Sequence, residues 1–203
     1  TMNDSVCTDA AEQLAAEYLG DLTHSKQVAK LAASLFDECA KLHYLGTREK
    51  TLLATAALVH DVGWREGQLR HHKRAFDVVL DRPPDGLSPR ETLIVANVAR
   101  YHRKALPKLS HPGFARLAPP DRETVRRLGA LLRIADGLDV THRSVTRSLT
   151  CVSDANTATI EVAADGDCSM EIQAAKKKSD LFEQAFGKKV RFRVTGGNCG
   201  AVD

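Results

Sequence analysis

A mainly α-helical region followed by a small antiparallel β-sheet with one helix is the fold class that the sequence predicts. Two observations carry it. Up to about residue 145 the apolar residues recur at three and four positions, and beyond it the period changes to two. Val28, Leu31, Ala32, Leu35 and Phe36 form one such helical face, and Leu52, Leu53, Ala56, Ala57 and Val59 form another. Leu93, Ile94, Asn97, Val98 and Tyr101 continue the pattern, followed by Val125, Leu128, Leu131, Leu132 and Ala135. Punctuation agrees. Ser88-Pro89-Arg90-Glu91 offers a cap, a proline at the first helical position and a glutamate at the third. Gly63 stands where the helix before it should end. Pro83 to Gly86 and His111 to Gly113 read as loops.

Beyond residue 145, Thr157 to Val162 and Ser169 to Gln173 alternate apolar with polar, and Asp165-Gly166-Asp167 between them suits a hairpin turn. Val190, Phe192 and Val194 alternate with Arg191 and Arg193. Lys176 to Phe186 reads as an amphipathic helix ended by Gly187. The expected division is therefore a helical domain over 8–145 and an α+β appendage over 146–195. The first few residues and the stretch from Gly196 to Gly200 are expected to fray.

Bulk composition narrows the function classes. The chain has 203 residues, 43% hydrophobic and 27% charged, which suits a soluble globular protein with a sizeable core. Its formal net charge of +3 is too small to imply a specific nucleic-acid partner or a membrane surface. Cys7, Cys39, Cys151, Cys168 and Cys199 include no C-x-x-C pair, which argues against a disulfide framework and a zinc ribbon. Neither a signal peptide nor a membrane-spanning apolar run is legible, so the expected compartment is the cytoplasm.

The residues that carry chemistry are His24, His60, Asp61 and Asp136. His60-Asp61 closes the apolar helix Leu52 to Val62, where an ionisable side chain is costly to bury without a partner. Successive helical side chains diverge by roughly 100°, so both can meet one object only beyond the helix end. A metal ion is the natural object. His24 opens an earlier helix, and Asp136 follows the apolar run Leu131-Leu132-Arg133-Ile134-Ala135. Two imidazoles and two carboxylates suit a divalent Mn, Fe, Zn or Mg ion.

This ordered set resembles the H…HD…D pattern of the HD superfamily of metal-dependent phosphohydrolases. The resemblance is closer still to the C-terminal region of the exopolyphosphatase and guanosine pentaphosphate phosphatase family. It is carried by His24-Ser25 to Asp37, by Ala56-Ala57-Leu58-Val59-His60-Asp61-Val62-Gly63 and by His71-His72-Lys73. Arg100-Tyr101-His102-Arg103-Lys104, Leu132 to Asp139, Lys178 to Glu183 and Phe186-Gly187 extend it over about residues 20 to 195. It implies an HD helical bundle for 8–145, His72 and His102 as further metal ligands or, alternatively, as donors to a substrate phosphate, and a part in pairing two chains into a homodimer. Arg74 stands where the family often has another histidine. The Gly-rich phosphate loop of the larger relatives' phosphatase domains does not occur in this sequence.

Around these motifs Lys73, Arg74, Arg100, Arg103, Lys104 and Arg133 are candidates to hold a phosphate, for which arginine offers a bidentate fork. Asp139, one helical turn after Asp136, is a candidate to orient a ligand histidine. His43, His111 and His142 are expected at the surface, and Lys176-Lys177-Lys178 and Arg126-Arg127 on solvated helix faces. The expected function is a metal-dependent phosphohydrolase with Asp61 as the catalytic carboxylate. A nucleotide, a signalling nucleotide or polyphosphate fits as substrate. The competing expectation is a module that binds polyphosphate or a nucleotide without chemistry.

Overall fold

A computed structural model describes residues 2–66 and 71–195, with side chains placed except at Met2, Asn3, Arg65, Glu66, His71 and His72. The chain is mainly α. Helices α1 (Met2–Leu19), α2 (Thr23–Glu38), α3 (Ala40–His43) and α4 (Thr47–Val59) are followed by a 3-10 turn (Val62–Glu66). Then come α5 (His71–Asp81), α6 (Pro89–Arg100), α7 (Pro112–Ala115) and α8 (Pro119–Gly137). The last quarter holds β1 (Thr146–Ser153), β2 (Thr157–Ala164), α9 (Ser169–Lys177), α10 (Asp180–Phe186) and β3 (Lys189–Val194). The stretch Gly196 to Gly200 lies outside the described residues.

Helix α4 is the axis of the molecule. Every residue from Thr55 to Val59 is buried, and α1, α2, α6 and α8 all pack on it. A helix that is apolar all round is stable only when surrounded. The second buried element is the C-terminal half of α8, where Leu128 to Gly137 are all buried. The expected start of α6 is present in full: Ser88 Oγ accepts the Glu91 N–H, and Glu91 Oε2 accepts the Ser88 N–H at 2.8 Å.

Glu91 also takes a two-pronged grip from Arg48 of α4, Nε to Oε1 at 2.7 Å and Nη2 to Oε2 at 3.1 Å. Arg48 Nη1 reaches Asp4 of α1 at 3.1 Å, so one guanidinium ties three helices. The Arg48 bond to Glu91 holds the Glu91 carboxyl down at about 2, against burial, which raises it. A carboxyl lowered on folding adds stability above its unfolded value, and loses that stability as pH falls through the folded one. Glu91→Gln is therefore expected to melt below the parent at pH 7, with the gap closing between about pH 4.5 and 2. Melting curves across that range check it, and a constant gap overturns it.

The C-terminal quarter corrects the sequence reading in three places. Residues 169–173 are not a strand: Cys168, Ile172 and Ala175 are buried at helical spacing, and Ser169–Lys177 is α9. A five-residue alternation cannot separate the two periods. The hairpin turn lies earlier than expected, at residues 154–156, where Asp154 Oδ1 accepts the N–H groups of Asn156 and Thr157, both at 2.8 Å. The sheet is mixed, in the order β1-β2-β3, rather than antiparallel. β1 and β2 pair antiparallel, but β3 lies parallel to β2, from Thr157 opposite Lys189 to Val162 opposite Val194. Two helices, not one, sit between β2 and β3, and such a crossover returns the chain in the same direction. Ala158, Ile160, Val162 and Ala164 form the sheet's buried face, continuous with the helical core through Ile172, Leu181 and Phe182.

Candidate metal centre

Four helix ends converge on one point. The first turn of α2 brings His24, the end of α4 brings His60 and Asp61, the second residue beyond α6 is His102, and the last turn of α8 brings Asp136. All five are buried. The buried faces of α2, α4 and α8 dictate this: the apolar residues that dock the helices also fix where their polar ends fall.

Each imidazole is held by its outer nitrogen. His60 Nδ1 donates to Ala57 O at 2.7 Å, and His102 Nδ1 donates to Ala99 O at 2.7 Å. His24 Nδ1 donates to Asp139 Oδ2 at 2.8 Å, while Asp139 Oδ1 accepts the Ser144 N–H at 2.7 Å. Asp139 thus holds the His24 ring by its outer nitrogen. These outer bonds leave the three Nε2 atoms facing inward, as in metal sites whose ligand histidines are fixed from behind.

Inside, His24 Nε2 lies 3.4 Å and His60 Nε2 3.8 Å from Asp136 Oδ1. Asp61 Oδ2 lies 3.4 Å from His60 Nε2 and 3.9 Å from His24 Nε2, and Asp61 Oδ1 lies 3.6 Å from His102 Nε2. Donor atoms of His24, His60 and Asp136 fall within 4.8 Å of one another. His24 Nε2 and His60 Nε2 are buried without a hydrogen-bond partner. Two buried ring nitrogens without partners, set among carboxylates, are costly as they stand and suit a divalent cation that displaces any proton on them. The residues present therefore suit the ion that the sequence implied.

The electrostatics follow from the crowding. Burial disfavours a charged His24, but Asp136, Asp139 and Asp61 outweigh it and hold its pKa at about 9. Burial and the neighbouring His60 push His102 down to about 3, so it stays a neutral imidazole able to donate a lone pair. Against its own burial, the Asp136 carboxyl is held well below the usual range by Lys178 and the histidines. Asp61 is likewise lowered, by His60, His102 and His24.

Sequence reasoning missed two neighbours of this cluster. The first is Lys178, which follows α9; its ammonium donates to Asp136 Oδ2. Lys176 and Lys177 are exposed as expected, but Lys178 turns inward. It is 42 residues from Asp136 in sequence, and no helical spacing rule connects positions that far apart. The second is His142, exposed as expected yet stacked on the His24 ring with centroids 3.8 Å apart. His43, also expected at the surface, is instead fully buried: its Nε2 donates to Phe36 O, and its Nδ1 accepts the Leu45 N–H.

The basic candidates separate. Arg133 is 3% exposed, and its guanidinium is spent on Asp180 at 2.8 Å and on the carbonyls of Tyr101, Lys104 and Lys178. It bolts α8 to the α9–α10 junction and so fixes where Lys178 points. Arg100 lies over the Phe76 and Tyr101 rings at 5.5 and 5.6 Å. Lys73 and Arg74 of α5 and Lys104 are exposed, and Arg103 is half-buried. The side chain of His72 lies outside the described residues.

Solvent reaches the cluster through a cleft of about 170 Å³ lined by His24, Ser25, Asp61, Trp64 and His142. A larger cleft, of about 330 Å³, is lined by Gly63, Arg74, Asp77, Asp81 and Arg82 and holds none of the histidines.

A mainly α protein whose helix ends aim histidines and aspartates at one point is thus defined by fold and geometry together. The model of the Ppx/GppA phosphatase family's domain III matches residues 6–178, and the chain belongs to that family. A comparison with curated proteins finds no match.

Proposed function

We propose that this chain is a metal-dependent phosphohydrolase acting on a phosphorylated substrate, with nucleotides, signalling nucleotides and polyphosphate as the class. The observation that supports it is the pair of unpartnered Nε2 atoms of His24 and His60, buried against Asp136. His24, His60, Asp61 and Asp136 would hold one divalent ion, with His102 beside them and His72 a further candidate. A bound Mn, Fe, Zn or Mg ion supplies Lewis acidity toward a phosphoryl oxygen and a water. Asp139 keeps the Nε2 face of His24 turned inward. Asp61, which also lines the cleft, is the catalytic carboxylate and would orient the attacking water. Lys73, Arg74, Arg100, Arg103 and Lys104 are the cations for the phosphate, with Lys178 added; Arg133 acts through Lys178. In this reading 8–145 supplies the metal donors and 146–195 supplies Lys178.

No helix among the described residues is long and apolar enough to cross a membrane. The cytoplasm as compartment and pairing of two chains remain parts of the proposal.

One observation favours a second reading, a polyphosphate- or nucleotide-binding module without chemistry. Lys178 already places a cation on Asp136. One experiment separates the two: metal content and turnover of the parent and of Asp61→Ala, on mono- and diester phosphates, guanosine tetraphosphate and polyphosphate. The first reading expects metal-dependent turnover in the parent, lost in a variant that still melts cooperatively. Turnover retained in Asp61→Ala refutes the assignment. Salt-sensitive polyphosphate binding without turnover in the parent selects the second reading.

A further inference from the structure

The bond to Asp139 fixes one nitrogen of His24 but not the plane of its ring, which can still turn about the Nδ1···Oδ2 line. A second contact settles the plane. The His142 ring lies flat against His24, with centroids 3.8 Å apart and the two planes 6° from parallel. His142 sits in the loop between α8 and β1, and it is exposed. Burial therefore does not explain where this ring goes.

The loop around it does. His142 and Ser144 hold φ at 57° and 52°, in the left-handed region that residues other than glycine rarely enter. Such backbone persists only where the surrounding structure enforces it. Asp139 supplies two of the bonds: its carbonyl accepts the His142 N–H at 2.9 Å, and its Oδ1 accepts the Ser144 N–H at 2.7 Å. Thr141 Oγ1 donates to the buried Glu171 of α9, and Thr146 Oγ1 closes the loop on Leu138 O at 2.8 Å. The residue that holds His24 from behind thus also shapes the loop that covers its face.

We propose that His142 is a positioning residue: its ring locks the plane of the His24 ring, so that His24 Nε2 stays aimed at the ion site. The inference rests on the reading of the cluster as a metal centre. Hydrogen bond and stack restrain His24 in two different directions, and together they leave its inner nitrogen one orientation. The stack works through a flat face, so position 142 needs a ring but no particular ring nitrogen.

Two variants test it. His142→Gly removes the ring and suits the left-handed backbone, so it adds no strain of its own. His142→Phe restores a flat face without a ring nitrogen. Calorimetric titration of metal-free protein with Mn is expected to show roughly 10–100-fold weaker binding in His142→Gly, the range for residues that support a ligand histidine, and near-parent binding in His142→Phe. In proton NMR spectra of the metal-free protein, the stacked ring shifts the His24 ring signals upfield. They are expected to move downfield in His142→Gly and to hold in His142→Phe. Parent-like Mn affinity in His142→Gly overturns the proposal. Equal losses in the two variants overturn it as well, since they assign the effect to a ring nitrogen. The spectra separate the lock from the metal reading. A parent that takes up no Mn, with His24 signals that move in His142→Gly alone, removes the metal and leaves the lock; His24 signals that stay put in His142→Gly remove the lock.

Discussion

Purified without a histidine tag and incubated with Mn, Asp136→Asn is expected to retain no metal above background, where the parent retains close to one ion per chain. Asp136 Oδ1 lies within reach of both unpartnered imidazole nitrogens, and with them it forms the trio of donor atoms that fall within 4.8 Å of one another. Asparagine keeps the shape and one carbonyl oxygen, so Lys178 can still donate and melting should stay cooperative. The charge needed to hold a divalent cation is gone. Asp139→Asn is the graded control: it acts on His24 from behind, where loss of such a partner costs roughly 10–100-fold in metal affinity. Metal analysis and titration calorimetry read both. Parent-like metal in Asp136→Asn overturns the ligand assignment. Equal losses in the two variants would mean that Asp136 only supports the histidines.

The second large effect is on stability. A Cβ added at Gly137 would lie 2.8 Å from both the Cα and the N of Ala175. These are backbone atoms of α9, and they cannot swing aside as a side-chain end can. Overpacking of this kind costs about 1–3 kcal/mol, and the better helix propensity of alanine returns up to roughly 1 kcal/mol. With the obstacle in a helix backbone, a net loss of about 2 kcal/mol is expected for Gly137→Ala, or roughly 4–8 °C in melting temperature for a chain of this size. Thermal melts check it, and an unchanged or higher melting point overturns the close approach of α8 and α9.

The order of helices was legible because periodicity is a local property. The faces through Leu31, Leu53 and Leu131 are the ones buried, and Ser88 caps α6 as its spacing requires. The cluster was legible for a related reason. His60 and Asp61 end a strongly apolar, buried helix, and a polar pair there needs a shared partner. What escaped were contacts set by packing between distant segments. Lys178 reads as the last of three lysines on a wet face, and only the Arg133–Asp180 bolt reveals that it turns inward. His43 looks like a surface residue until Phe36 and Leu45 close around it. The strand assignment at 169–173 failed because Met170 and Ile172 fit a period of two, while the contact that decides the matter is Ala175, two residues outside that window.

The Lys178–Asp136 contact bears on the order in which the molecule can be assembled. Residues up to about 145 bring Asp61 and Asp136 into one buried space, where two like charges disfavour each other. His24 lies between them, and the further cation, the Lys178 ammonium, reaches Asp136 only when α9 and α10 have docked on α8. The last quarter of the chain thus completes the charge balance of a pocket that the first three quarters build.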